Sequence, residues 1–429
     1  MARAKSKVAR NTIWMSFGLS GRIIFQIIYF LIIARSLGPD AYGAFAGAIA
    51  LVVVFSPFVG WGSGSILIQQ VSRQTNEFKA YWGLAKGTTL VTATIFTIIS
   101  GASAAVVLSP TMAIRLTLPI ALGTYFGDGF AILAGQSFQA FNRLSRTSLI
   151  NLLLGLFRLL SAILLLLLPI SKSTENWAIL YMFSGLLAGI LGVIWVNHDL
   201  GDSPASLKLM QGKWKVGFYF SIGQSAQGVY NDIDKTLLMR LVSESISGVY
   251  AASYRIMDAT FLPVRALLSS TYSNFFKKGE NGVTETFKYA KKILPWSLIM
   301  GVVALLGILL IAPIIPVLLG DEYQGAVLMV RWLSIIPLFR SLHYLAADAL
   351  TGAGFQNYRS YIQIGVALLN LSLNLWLIPL YSWKGAVWAS LASDGFLAFC
   401  LWLLIIYMSK KQIRSINEET QRLIFGTTK

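Results

Sequence analysis

Apolar runs of about twenty residues recur along the whole chain and decide what it can fold into. Ile150–Ile170, Leu298–Leu319 and Trp388–Met408 are the clearest of them. A helix rises about 1.5 Å per residue, so such a run crosses the roughly 30 Å hydrocarbon core of a bilayer. Lipid supplies no hydrogen bonds, so only helices and closed barrels can span it. The runs far exceed the ten or so alternating residues of a barrel strand. About twelve spans are expected, centred near residues 23, 51, 98, 126, 158, 187, 226, 260, 305, 336, 369 and 397. Composition agrees: 55% of residues are hydrophobic, 12% are charged and mean hydropathy is +0.65. Soluble domains carry about 25% charged residues, so a soluble enzyme or a free-standing nucleic-acid binder is excluded. Disorder is excluded as well, because it needs few apolar and aromatic residues.

The net charge of +17 arises from 35 Lys and Arg against 18 Asp and Glu. Its placement gives it a membrane meaning. Basic residues gather at the start (Arg3, Lys5, Lys7, Arg10), in every even-numbered loop, and in the tail from Lys410 to Lys429. The odd-numbered loops hold only Arg35, Arg115, Lys172, Arg240 and Lys384. That gives 23 basic residues on one side against five on the other. By the positive-inside rule both termini are expected in the cytoplasm, with an even number of spans. Most of this charge sets topology and meets anionic headgroups, so no nucleic-acid partner is expected. Trp14, Trp61, Trp82, Trp177, Trp195, Trp214, Trp296 and Trp383 fall near span ends, as an aromatic belt requires. The first apolar run is too long for a signal peptide and contains Arg22, so it reads as the first span. Cys400 is the single cysteine, and His198 and His343 have no neighbours at ligand spacing. No disulfide, metal site or cofactor is expected.

Two halves of similar length flank the polar stretch His198–Lys215, with weak similarity between them. Ala34–Ala48 matches Met239–Ser253, with Gly43 against Gly248. Phe78–Lys79 matches Phe287–Lys288, and Phe141–Asn142 matches Phe355–Gln356. Six spans per half means that both halves start on the same side, as parallel repeats do. The expected domains are therefore a six-helix lobe over 1–200, a cytoplasmic linker over 201–215 and a second lobe over 216–429. The expected fold class is an all-α polytopic membrane protein with two pseudo-symmetric lobes around a central cavity. No phosphate-loop motif is present in the sequence to drive an ATP pump.

Ionisable residues inside spans are costly, so they face a cavity or a partner. The candidates are Arg22, Asp128, Arg158, Asp232, Asp234, Lys235, Arg255, Asp258, Arg265, Arg331, Arg340, Asp348 and Asp394. Arg255 and Asp258 are spaced to pair on one helix, as are Asp232 and Lys235. In the seventh span Ser221, Gln224, Gln227, Asn231 and Lys235 draw a polar stripe at helical spacing. Arg22 and Gln26 share a face of the first span, and Arg255, Asp258 and Arg265 share one in the eighth. Arg22, Gln26, Gln224, Asn231, Lys235, Arg255 and Arg265 are thus the expected lining of a wet, partly cationic cavity. Arginine there would hold phosphate bidentately. Asp128, Asp258 and Asp394 are candidates for coupling or counter-ion roles. Gly43, Gly123, Gly127 and Gly248 read as close helix contacts.

LIIARSLGPDAYGAFA (residues 31–46) resembles the opening signature of polysaccharide-biosynthesis flippases of the multidrug/oligosaccharidyl-lipid/polysaccharide exporter superfamily. Residues 231–256, 318–342 and 370–395 resemble later segments of that family, in order. The resemblance implies a flippase for a lipid-linked oligosaccharide, of the O-antigen or exopolysaccharide type. The substrate would be an undecaprenyl-pyrophosphate glycolipid, crossing a bacterial inner membrane by alternating access. Arg22, Lys235 and Arg255 would meet the pyrophosphate. Implied partners are the lipid-linked oligosaccharide, membrane lipids, and the polysaccharide polymerase and chain-length machinery. A cation-coupled multidrug or metabolite antiporter is the main alternative, favoured by acidic cavity residues such as Asp128. A membrane glycosyltransferase or ligase is the third reading, with Asp321–Glu322 the one acidic pair in the short outer loops.

Overall fold

The computed structural model describes residues 2–207 and 214–425; the side chains of 2–20, 214–217, 219–220, 223–224, 269, 273 and 416–425 lie outside that description. Among the described residues the chain is helical throughout, with no strand. This is the all-α polytopic membrane fold, and each expected span centre lies on a helix.

The helices are α1 (Ala2–Phe55), α2 (Ser63–Val71), α3 (Phe78–Val107), α4 (Pro110–Met112), α5 (Leu118–Ala121), α6 (Gly129–Ala140), α7 (Leu144–Leu167) and α8 (Thr174–Leu200). They continue as α9 (Trp214–Leu241), α10 (Glu244–Thr260), α11 (Leu262–Gly279), α12 (Val283–Ile311), α13 (Ile315–Leu319), α14 (Gln324–Leu333), α15 (Ile336–Gly352), α16 (Gln356–Tyr381) and α17 (Trp383–Phe425). Two π-helical segments, Ala113–Thr117 and Leu122–Asp128, join α4 to α6 in one span.

Among the described residues eight stretches are long and apolar enough to cross a membrane. The bent pair Asp321–Leu333 and Ile336–Gly352 makes nine. The difference from twelve is chemical. Gly21–Val71 holds two expected centres in one 51-residue stretch. It is broken at Gly38, whose φ of 73° and ψ of 172° are not helical. Glycine adopts that conformation at no steric cost, and Pro39 restarts the helix. α10, at 17 residues, is too short to count alone, and α9 and α11 are rich in polar side chains, with Asp232, Asp234, Lys235 and Arg265 among their residues.

The chain forms two compact units. Unit 1 comprises Met1–Gly228, Asp232–Gly248 and Leu318–Glu322; unit 2 comprises Val229–Asn231, Val249–Val317 and Tyr323–Lys429. In unit 1, α1 packs along α7, and a Cβ on Gly155 would lie 3.2 Å from the Arg22 Cα. Gly127 closes the π segment onto α8, where its Cβ would lie 2.6 Å from the Gly185 carbonyl. Gly123 meets the Met182 Cα in the same way, at 2.7 Å. Aromatic packing of Phe78, Trp82, Phe138 and Trp195 fills the core between α3, α6 and α8. In unit 2, α15 packs between α12 and α17, and α16 lies against α17.

Candidate functional site

The charges inside the helices collect into separate buried clusters. The largest lies in unit 2 around Arg340 of α15, a residue buried to 2% exposure. Its Nη1 donates to Asp258 Oδ1 of α10 at 2.6 Å, and its Nη2 donates to Asn231 Oδ1 of α9 at 2.9 Å. Its Nε lies 3.8 Å from Asp394 Oδ2 of α17. One helical turn along α15, His343 Nε2 lies 3.4 Å from Asp394 Oδ1. The Tyr254 ring sits 5.5 Å from the guanidinium. Four helices therefore converge on one arginine.

Two carboxylates, Asp258 and Asp394, face the Arg340 guanidinium, with His343 beside Asp394. Arg340 Nε and His343 Nε2 make no hydrogen bond within the protein, which leaves donor capacity facing Asp394. The polar path continues behind Asp394. Asn370 Nδ2 donates to Ser393 Oγ at 3.0 Å, and Asn374 Nδ2 donates to Asn370 Oδ1 at 2.9 Å.

Unit 1 holds a second cluster. Arg158 of α7 is buried, and its Nη2 donates to Asp128 Oδ1 at 2.8 Å. Its Nη1 donates to Ser184 Oγ at 2.8 Å and to the Tyr181 carbonyl. The guanidinium lies over the Tyr181 ring at 3.1 Å. Asp128 ends the Leu122–Asp128 π segment. π segments recur at functional sites because the extra residue re-aims side chains. Here the segment presents Asp128 to α7.

The other expected site residues lie on α1, α9, α10 and α11. Arg22 Nη1 donates to Asn151 Oδ1 of α7 at 3.2 Å, and Gln26, one turn on, is half-buried. Lys235 is buried, with Nζ 2.7 Å from Asp232 Oδ1 and 3.6 Å from Asp234 Oδ1. Arg255 and Arg265 are exposed, and Arg265 lies 5.8 Å from the Phe261 ring. The Gln224 side chain lies outside the described residues. Asn231 and Asp258 are thus brought together with Asp394 in unit 2. Sequence reading did not list Arg340 and His343 among the site residues. Their spacing of one helical turn, on a span already holding Asp348, was the available signal.

Comparison with known proteins places this architecture. Residues 8–270 match the family described as polysaccharide biosynthesis protein. The chain belongs to that family. Among curated relatives, "Probable flippase AglR" of Haloferax volcanii is 26% identical over 218 residues, 49% of this chain and 44% of that protein. An uncharacterised membrane protein of Methanocaldococcus jannaschii is 26% identical over 195 residues, 45% of each chain. The matched segments span less than half the length of these relatives. Two solved structures of a multidrug resistance MATE family transporter of the MOP superfamily share the fold. The inward-facing one has a TM-score of 0.68 at 15% identity, covering 92% of this chain and 99% of that one. The outward-facing one has a TM-score of 0.60 at 15% identity, covering 95% and 97%. This family member is a multi-pass membrane protein that shares their helical fold.

Proposed function

We propose that the chain flips a polyprenyl-pyrophosphate-linked oligosaccharide across the inner (cytoplasmic) membrane, for assembly of cell-surface polysaccharide of the O-antigen or exopolysaccharide type. The family match over residues 8–270 carries this reading. The name of the Haloferax relative supports the flippase class. Two lobes, 1–200 and 216–429, alternate access to the substrate, with both termini in the cytoplasm. Arg22, Gln26, Gln224, Asn231, Lys235, Arg255 and Arg265 line the substrate path, and the cationic ones attract the pyrophosphate. Polymerase and chain-length machinery take over the product.

Transport couples to proton entry at the unit 2 cluster, where Asp258 and Asp394 outnumber Arg340 by one charge and His343 stands 3.4 Å from Asp394. Protonation neutralises the cluster and loosens the hold of Arg340 on α9, α10 and α17, which lets these helices repack. Asp128 serves as the counter-ion of Arg158.

Depletion in the native host tests the proposal. Lipid-linked oligosaccharide should accumulate in the cytoplasmic leaflet while surface polymer disappears. Normal surface polymer on depletion would contradict it. A cation-coupled antiporter of small molecules shares the fold; drug or metabolite sensitivity without loss of polymer would identify that activity instead.

A further inference from the structure

A groove of about 520 Å³ opens on unit 1, bounded by α3, α6 and its π segment, α8, and residues 202–205 that follow α8. Its walls are apolar: Leu90, Phe126, Phe130, Ile190, Val193 and Ile194 among others. Leu90, Ile190 and Ile194 are exposed at 42%, 56% and 57%, so its flank is continuous with a surface suited to lipid tails. Polar groups gather at one end only.

At that end Lys86 Nζ bonds Asp202 Oδ1 at 2.6 Å and lies 5.3 Å from the Trp82 ring. Asp202 is exposed, and this bond, together with one from the Ser203 amide, holds its carboxyl below the usual range. Lys79, exposed, reaches the same corner; a Cβ on Gly201 would lie 3.3 Å from its Cε. Two ammonium groups against one carboxylate leave the mouth with one positive charge. The strap itself is docked by its backbone. Ser206 N donates to the Gly83 carbonyl at 2.9 Å, and Gly87 admits the chain so closely that a Cβ there would lie 2.8 Å from Ser206 N.

An apolar slot with two lysines at one end has the chemistry of a bilayer interface. We infer that this groove is a binding site for one anionic phospholipid, its acyl chain along Leu90, Ile190 and Ile194 and its phosphate at Lys86 and Lys79. The phosphate takes over the Lys86 contact from Asp202. Charge complementarity selects the occupant: a neutral zwitterionic lipid gains nothing at a mouth with net positive charge, while an anionic one gains about 1 kcal/mol per lysine near the surface, or about fivefold in affinity. The inference is independent of what the protein transports.

The test uses native mass spectrometry of the full-length protein, purified, delipidated and supplemented with phosphatidylglycerol or phosphatidylcholine. The wild type should retain one phosphatidylglycerol at least fivefold better than phosphatidylcholine. Lys79→Gln with Lys86→Gln should abolish that preference while leaving the monodisperse peak unchanged. Ile190→Trp, at a surface position, should remove the bound lipid, and Leu368→Trp on the exposed face of α16 should not. Equal retention of the two lipids, or an Ile190→Trp variant that binds as the wild type does, would overturn the assignment. So would a dimer that the Ile190→Trp change dissociates, since the occupant would then be a second copy of the chain.

Discussion

Arg340 is the side chain on which most of unit 2's polar chemistry depends. It bonds Asp258 and Asn231 and faces Asp394. Removing it strands two carboxylates. Breaking one partner of a buried pair costs about 3–5 kcal/mol, so Arg340→Leu should lower the thermal midpoint of the purified protein markedly and abolish transport. Arg331→Leu, at an exposed position on α14, should change stability by under about 0.5 kcal/mol. Arg340→Leu combined with Asp258→Asn should recover part of the loss, because one stranded charge is gone. Thermal unfolding in detergent reads all three. The same logic applies to Asp128 and Arg158: each single neutralisation should cost more than the double change to Asn and Leu. The sequence made the existence of these charges plain, since each interrupts an apolar run. It did not make the partners plain. Asp258 reads as an i, i+3 partner of Arg255, yet Arg340, 82 residues away, occupies its carboxylate. Choices between near and distant partners are settled by how helices pack, and spacing along one helix carries no information about that. The approach of His343 to Asp394, 51 positions on, is hidden from the sequence for the same reason.

Helix contacts were more legible, because small residues announce them. Gly43 and Gly248, matched by the internal repeat, do meet: a Cβ on Gly43 would lie 2.7 Å from the Gly248 amide, and one on Gly248 would lie 2.9 Å from the Gly43 amide. Two positions that match between the sequence halves thus meet within unit 1. Gly43→Val or Gly248→Val should drive the backbones apart. Such overpacking costs about 1–3 kcal/mol, seen as lost expression and a lowered thermal midpoint, whereas Gly307→Val, with open space around its Cβ position, should be tolerated. Helix breaks were less legible. The apolar stretch around residue 126 reads as one uniform span, but two π segments run through it. Apolar content is blind to hydrogen-bond register, so that detail leaves no mark on hydropathy. The eighth span is also interrupted, at Phe261, with Pro263 in the first turn of α11. The strap after α8 has its own pH signature. The carboxyl of Asp202 titrates below its unfolded value, so the Lys86 bond stabilises at any pH above about 4 and is lost as pH falls through the lowered value. Amide exchange at Ser206 should be slow from pH 8 to pH 5 and speed up in more acid solution once intrinsic exchange is corrected for. Unchanged protection in acid would show that backbone docking alone holds the strap.

For the whole molecule, the membrane class followed from run length, and the family from the order of several soft motifs. The functional account rests on the proposal that the charge cluster around Arg340 takes up a proton and on a family described by polysaccharide biosynthesis. These meet in a single assay. The protein is reconstituted in liposomes carrying a fluorescent polyprenyl-pyrophosphate oligosaccharide, and lectin access reports its movement between leaflets. The account predicts that an imposed proton gradient speeds movement at least tenfold over protein-free vesicles, and that Arg340→Leu and Asp394→Asn return it to the protein-free rate. Movement at the protein-free rate in wild-type vesicles, or full activity in both variants, would contradict it.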